Sequence, residues 1–388
     1  MSRICMLNPF FLPYQGGTEK HVFEVGRRLA KTGFKVTVLT VRMPGTNRVD
    51  VIDGITIKRI NALLYLNSLP PFSPVPPPVA FAPMMNKAIR QECRRQDVFH
   101  IHNRFFYSPS DARDIKKAGR RLCLTLHNAR TKGISPTTDF FGQLYDETNG
   151  HSLMRECDHI FGVSQNTLDV TVPAEYASKT SVAYNGVDTA MFSPHNDGKK
   201  ARKRYGLDGR KVLLTVCRLE EQKGLRFMVE ALRKLVAKDD SYYWVLVGRG
   251  SLEEWLQKTC SSPSLRGHFK LIAQKVPDGD LAELYAACDA FVLPSVWEPF
   301  GMVLCEAMST GKPVVSTTAG GIPEVVSPDC GFLCKPRNSR DLESKIERLF
   351  SSESQLERMG KNARGRMERH FTWDHTAQYY VKLYESIL

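Results

Sequence analysis

The sequence contains no apolar run of about eighteen residues or more, the length a membrane-spanning helix needs. Its N-terminus, where Arg3-Ile4-Cys5-Met6-Leu7 leads directly into a loop, lacks the charged, apolar and small-residue succession of a secretory signal, so a cytoplasmic location is expected. The ten cysteines include no C-x-x-C pair, and only Cys330 and Cys334 stand close together. That is neither zinc spacing nor a compact disulfide framework, and it fits buried or idle thiols in a reducing compartment. There is no G-x-G-x-x-G and no G-x-x-x-x-G-K-[ST], which counts against a dinucleotide dehydrogenase and a P-loop NTPase. No aromatic-interleaved basic motif or zinc module appears, so nucleic acid is not an expected partner. Short-period repeats are missing as well.

What is there is the composition of a globular protein. Of its 388 residues, 42% are hydrophobic and 24% charged, enough to bury a large core. The length suggests roughly two to three domains, and two fit best. The net charge of +13 attracts phosphates, nucleotides and anionic lipid surfaces without choosing among them. The excess is larger in the first half: residues 1–188 carry 24 Lys and Arg against 16 Asp and Glu, the remainder 30 against 25.

Apolar runs alternate with amphipathic helical patterns, the signature of parallel α/β winding. In the first half the strand candidates are Ile4 to Leu7, Lys35 to Val41, Val98 to His102, Leu122 to His127 and His159 to Val163, with a helix over Thr18 to Lys31. The pattern restarts after Asn185-Gly186-Val187-Asp188 and a basic stretch over 197–210. Strands are expected at Val212 to Cys217, Tyr243 to Val247, Phe269 to Ile272, Ala290 to Leu293 and Pro313 to Ser316. Helices are expected to start near Lys223, Leu252, Asp280, Met302 and Ser339. This predicts two Rossmann-like domains, 1–190 and 191–370, facing across a ligand-binding cleft, with a C-terminal helix over 371–388. Pro70, Pro71, Pro74, Pro76, Pro77, Pro78 and Pro83 crowd a segment read as a stiff loop, either a surface connector or a wall of the cleft.

Three stretches carry chemistry. Gly16 and Gly17 join the first strand to the first helix, where paired glycines let backbone approach a phosphate at a helix N-terminus. Arg218 follows the first strand of the second half, and Lys223-Gly224 opens the next helix, so two cations converge where a departing diphosphate could be held. The densest stretch is Ser295-Val296-Trp297-Glu298-Pro299-Phe300-Gly301-Met302 continuing to Glu306. Glu298 is placed in the loop after a strand and Glu306 on the helix that Gly301 opens, so one carboxylate can address a sugar and the other a ribose.

The E-x7-E spacing of Glu298 and Glu306, with Pro299-Phe300-Gly301 after the first acid and Thr310-Gly311-Lys312-Pro313 beyond, resembles the retaining family 4 glycosyltransferases of GT-B fold. Gly16-Gly17, Asn185-Gly186-Val187-Asp188, Arg218 with Lys223-Gly224, and Ala319-Gly320-Gly321-Ile322-Pro323-Glu324 follow in the family's order. The resemblance implies roles. Glu298 contacts donor sugar hydroxyls beside the Phe300 and Gly301 backbone, Glu306 holds the ribose, Arg218 and Lys223 clamp the diphosphate, and Gly17 offers it backbone N–H groups. His127, at a strand end, faces the sugar; Asn185 belongs to the substrate-binding set, and the base is read by backbone near Val276. The donor is then a UDP- or GDP-sugar and the acceptor a glycan or lipid-linked molecule. Retention requires no dedicated nucleophile, and no cofactor or metal is expected.

Several features have blander readings. Asp278-Gly279-Asp280 spells a D-x-D metal motif but stands before a helical run, where capping explains it. His100, His102 and His127 could suggest a metal site, although alternate residues of one strand do not close a coordination sphere by themselves. Lys87, Arg90, Arg94 and Arg95, read as one helical stripe, and the cluster Arg113 to Arg121 could meet anionic membrane or simply solvent. The helix from Phe371 offers Tyr379, Tyr380, Leu383, Tyr384 and Ile387 for packing. A nucleotide-sugar epimerase and a non-catalytic nucleotide-sugar-binding protein are the competing functions.

Overall fold

The computed structural model describes residues 1–14, 16–66, 79–130 and 136–388. Gln15 and the prolines from Pro70 to Pro78 lie outside the described residues, and with them the reading of a stiff loop. The chain forms two compact units, one built from the described residues up to Gly186 together with Trp373–Leu388, the other from Val187–Thr372. No helix among the described residues is long and apolar enough to cross a membrane.

The strands of the first unit are β1 (Arg3–Leu7), β2 (Lys35–Arg42), β3 (Val49–Ile52), β4 (Ile55–Asn61), β5 (Leu64–Leu66), β6 (Val79–Phe81), β7 (Val98–Ile101), β8 (Arg121–Leu126), β9 (His159–Gly162) and β10 (Thr180–Val182). Eight of them form one sheet in the order β10-β9-β8-β7-β1-β2-β4-β3, parallel except where β3 meets β4. Its helices are α1 (Gly17–Lys31), α2 (Met84–Glu92), α3 (Pro109–Lys117), α4 (Pro136–Tyr145), α5 (His151–Glu156) and α6 (Gln165–Thr171). Ile89 of α2, Ile115 of α3 and Met154 of α5 pack with Phe99, Leu122 and Leu124 in one core. A sheet covered on both faces explains why β1 reads as an apolar run after Arg3 and why β7, and β8 beyond Arg121, are buried along their length.

The second unit has β11 (Lys211–Val216), β12 (Tyr242–Val247), β13 (Phe269–Ile272), β14 (Ala290–Leu293), β15 (Val314–Thr317) and β16 (Gly331–Cys334), all parallel in the order β13-β12-β11-β14-β15-β16. Its helices are α7 (Lys199–Tyr205), α8 (Leu225–Lys238), α9 (Glu253–Cys260), α10 (Asp278–Ala287), α11 (Met302–Ser309), α12 (Ile322–Val325), α13 (Ser339–Leu349) and α14 (Glu353–His370). Met228, Leu232 and Leu235 of α8 meet Ile346 and Leu349 of α13 over Trp244 and Leu246. The buried Trp244 indole donates to Thr215 Oγ1 at 3.0 Å, which donates on to the Val292 carbonyl at 2.7 Å, so this core polar pair is satisfied.

The last helix, α15 (Trp373–Ile387), belongs to the first unit and packs on α1. Its buried stripe is Trp373, Thr376, Ala377, Tyr380 and Tyr384, which leaves Tyr379 44% exposed instead of packed. Other expectations shift too. Strands β7 and β8 stop one residue earlier than read, so His102 and His127 stand just beyond them. Helix α2 ends at Glu92, so Arg94 and Arg95 are not on one helical stripe with Lys87 and Arg90. Asp278 and Asp280 occupy the first turn of α10 behind Pro277, where acids complement the helix dipole. The strand order reverses between β1 and β7 and again between β11 and β14. Ligands of such sheets bind beyond the carboxyl ends at these points.

Candidate active site

In the second unit, the loops leaving β11 and β14 are fastened to each other. After Val216 come Cys217, Arg218 and Leu219, then a short turn Glu221–Lys223 that passes through Gly224 into α8. Gly224 adopts φ +67°, and a Cβ there would overlap the Pro294 carbonyl, so only glycine lets this turn lie on the β14 loop. The Gln222 carbonyl accepts from the backbone of Val296 at 2.8 Å and Trp297 at 3.3 Å. From the β15 side, Thr317 Oγ1 donates to the Ser295 carbonyl at 2.6 Å and Gly321 N to the Glu298 carbonyl at 3.0 Å. Gly320, at φ +56°, lies against that same carbonyl with no room for a side chain.

This frame presents the charges. Lys223 Nζ lies 2.7 Å from Glu298 Oε2, the two side chains being 13% and 10% exposed. Ser295 Oγ donates to the same oxygen at 3.4 Å. Arg218 is exposed and forms no salt bridge among the described residues. Burial pushes the Cys217 thiol up to about 12, while Lys223 pulls it down, Glu298 pushes it up and Arg218 pulls it down, so all three charges lie around this residue. On α11, Glu306 is buried and its Oε2 accepts from the Tyr285 hydroxyl at 2.9 Å. Burial and the Glu306 charge hold that phenol well above its usual range, so Tyr285 remains a donor.

The remaining residues of this unit divide. Phe300 is a core side chain beside Phe371, with ring centroids 6.0 Å apart, so what it can offer a ligand is backbone. Val276 is half-buried ahead of α10 and lines a hollow of about 40 Å³ with Arg204 and Tyr205. A larger cavity of about 510 Å³, lined by Lys211, Asp289, Lys312, Phe350 and Glu353, lies at the amino ends of β11, β14 and β15 and contains none of the candidate residues.

In the first unit, Gly16 caps α1 and Gly17 begins it. The Gly16 N–H and Asn8 Nδ2 donate to the Glu19 carboxylate at 3.0 and 3.3 Å, and burial holds that carboxyl above its usual value. His102 and His127 meet through Nδ1 and Nε2 at 3.2 Å. His21, from α1, stands edge-on to His127 with ring centroids 4.7 Å apart. Its Nδ1 is bonded to Asn185 Oδ1 at 2.7 Å and its Nε2 to the Tyr380 hydroxyl at 2.9 Å. Asn185 is therefore a buried anchor for His21. His100 is engaged elsewhere, by the Tyr384 hydroxyl and by Thr125 Oγ1 at 2.7 Å. Burial lowers His21 to about 4 and holds His100, His102 and His127 well below their usual value, so the cluster is neutral.

The two halves of this chain match known families separately. Residues 15–191 match the model of Glycosyltransferase Family 4, and residues 197–366 that of Glycosyl transferases group 1. The chain belongs to the family 4 glycosyltransferases. Spore coat protein SA of Bacillus subtilis is 24% identical to this glycosyltransferase over 391 residues, covering 96% of this chain and 95% of that one. Mannosylfructose-phosphate synthase of Agrobacterium fabrum is 26% identical over 407 residues, covering 96% and 86%. The crystal structure of Anabaena HepE in complex with UDP and glucose aligns with a TM-score of 0.78 at 22% identity, over 100% of both chains. That likeness gives the glycosyltransferase the GT-B fold.

Some residues that support the candidate residues of each unit are not visible as motifs. Tyr285 sits in an apolar helical run and reads as core. His21 was signalled only as a polar residue among Val22, Val25 and Leu29 on the buried stripe of α1. The ligand atoms of His21, His102 and His127 lie within 4.8 Å of one another, so these three, and not His100, could together approach a metal ion. Arg104 and Asp146, both buried, pair at 3.0 Å, and Arg104 Nη1 donates to the Asn128 carbonyl at 2.6 Å, bracing the residue after His127.

Proposed function

We propose that this glycosyltransferase moves a hexose or N-acetylhexosamine from a UDP- or GDP-sugar to a glycan or lipid-linked acceptor, with retention of configuration and without a metal ion. The observation that carries the reading is the Lys223–Glu298 pair at the carboxyl ends of β11 and β14, with Glu306 held by Tyr285 on the next helix. Lys223 and Arg218 receive the diphosphate, and their charge stabilises it as it departs, the work a metal would otherwise do. Glu306 accepts from the ribose. Glu298, with one oxygen already engaged by Lys223 and Ser295, addresses the sugar hydroxyls and is not a covalent nucleophile. Gly16 and Gly17 offer backbone N–H groups to phosphate, Val276 and the Phe300–Gly301 backbone flank base and sugar, and His127 faces the sugar. The acceptor enters from the face that the diphosphate vacates.

The UDP and glucose in the HepE complex support a donor of this class. Exposed Phe105, Phe140, Phe141 and Leu144 in the first unit support an acceptor with apolar character. Lys87, Arg94, Arg95, Arg113 and Lys117 are exposed without a salt bridge among the described residues and support peripheral contact with anionic headgroups on the cytoplasmic side. The test is incubation with labelled UDP- and GDP-sugars and membrane extract, with and without EDTA, followed by determination of the anomeric linkage. Transfer that survives EDTA with a retained anomer is expected. Binding without transfer or hydrolysis across the donor panel would reject the reading, and conversion of the donor without acceptor would identify an epimerase.

A further inference from the structure

The hydrogen bond between His102 Nδ1 and His127 Nε2, 3.2 Å long, needs a proton on one nitrogen and a lone pair on the other. His102 Nε2 is buried and has no hydrogen-bond partner. The His100 ring stacks on His102 at 4.3 Å and the His21 ring lies 5.6 Å away. A proton on His102 Nε2 would therefore be a buried donor with no acceptor. With the proton on Nδ1, the orphan is only a bare lone pair, the less costly defect. His102 then donates to His127 Nε2, and a neutral His127 must carry its own proton on Nδ1. That nitrogen forms no hydrogen bond among the described residues, and His127 is half-buried where His21 and His102 are buried.

We propose that His102 is a positioning residue that holds His127 as its Nδ1–H tautomer, so that His127 offers the substrate a hydrogen-bond donor and not a base. What the donor does rests on the reading above that His127 faces the sugar; the tautomer does not. An N–H aimed at a sugar oxygen orients the ring without taking its protons, consistent with a transfer that uses no enzymic nucleophile. His21, with both nitrogens committed to Asn185 and Tyr380, packs against His127 without competing for this bond. Burial keeps both rings of the pair neutral.

The direct test is a two-bond 1H–15N correlation spectrum of the full chain labelled with 15N-histidine, each ring assigned by a single His→Gln substitution. His102 and His127 are both expected as Nδ1–H. In His102→Leu, the single tautomer of His127 should be lost and kcat should fall about tenfold, with donor KM within about twofold of wild type. His102→Asn, whose amide nitrogen stands near the Nδ1 position, should restore the tautomer and most of the rate. An Nε2–H tautomer for His127 in the wild-type protein overturns the proposal, as does a slowed His102→Leu whose His127 tautomer is unchanged. The wild-type spectrum decides even if His102→Leu does not fold. Absence of transfer beside an Nδ1–H spectrum would count against the proposed function and leave the tautomer standing.

Discussion

Replacing Lys223 by alanine separates what this side chain does for the fold from the role proposed for it at the leaving diphosphate. Its ammonium stands 2.7 Å from Glu298 Oε2, with side chains 13% and 10% exposed. Removing it leaves that carboxylate the Ser295 hydroxyl at 3.4 Å, a poor replacement for a charge. Leaving one member of a buried pair uncompensated costs about 3 to 5 kcal/mol. This pair keeps some contact with water, so a loss of about 2 to 3 kcal/mol is expected, or roughly 5 to 10 °C in the melting of the second unit. The catalytic effect is separate. A charge-assisted hydrogen bond to the departing phosphate contributes about 1.5 to 3 kcal/mol, which converts to a fall in kcat of about 10- to 150-fold. Because that charge grows only toward the transition state, donor KM should move much less. Initial rates over a range of labelled donor give kcat and KM separately, and thermal unfolding reads the stability term. Glu298→Gln, which still offers Lys223 an acceptor, is the control and should melt closer to wild type. A Lys223→Ala enzyme with lowered melting but unchanged kcat would refute the leaving-group role, and a raised KM with kcat intact would make Lys223 a ground-state contact only.

Glu306→Ala should weaken UDP or GDP binding about 10- to 150-fold by calorimetry, with a smaller effect on kcat, since the proposed ribose contact would be made before reaction. Tyr285→Phe should reproduce that direction at about 2- to 10-fold, because it frees the Glu306 carboxylate without removing it; unchanged nucleotide binding in both variants would remove Glu306 from the site. Arg104→Ala leaves Asp146 buried beside Arg130 alone, at 3.4 Å, and should cost the first unit about 3 kcal/mol in urea unfolding. Acid should destabilise the first unit in a defined window. His21 is lowered from 6.5 to about 4 by burial, so the unfolded chain binds the extra proton between these values. The stability this residue provides is complete above pH 6.5 and is lost as pH falls toward 4, about 3 kcal/mol in all. Glu19, raised by burial, works in the opposite sense above its ordinary value. His21→Asn should therefore flatten the difference in urea midpoint between pH 7 and pH 4.5, and an unaltered slope would reject a neutral buried His21.

Strands buried on both faces were legible because they need no partner to be recognised: Ile4 to Leu7 and Ala290 to Leu293 are apolar throughout, and both are central in their sheets. Strand β4 escaped because Ile55, Ile57 and the intervening polar residues alternate, with one face half-open. Strand β10 is three residues long and half-buried, too short for any period to register. The stripe of Lys87, Arg90, Arg94 and Arg95 failed as a helical face for a related reason, and the second basic cluster follows no single element either. Charge spacing was read as though the helix continued, whereas α2 stops at Glu92, and within Arg113 to Arg121 the chain leaves α3, turns, and enters β8. Lys116 is drawn to Asp158 at 2.6 Å and Arg120 Nε to the Cys93 carbonyl at 2.7 Å. Those partners lie on other elements, and local spacing holds no information about them.

The same distinction governs the site. Glu298 and Glu306 are eight positions apart on one loop and helix, so their relation follows from the chain itself. Lys223 and Glu298 are neighbours only because the strand order reverses, which puts β14 beside β11 on the edge opposite β12. Register then decides the rest: Leu213 stands opposite Ala290 and Leu214 opposite Phe291, so both strands end level and their loops can meet. A slip of one residue would invert the side chains of one strand and carry the Glu298 loop away from the Gln222 carbonyl that holds it. The Gly224 and Gly320 contacts oppose that slip, since each brings backbone against the β14 loop where no other residue fits. The ion pair is thus a consequence of sheet topology, and the glycines on either side of it are what make the topology precise enough for chemistry.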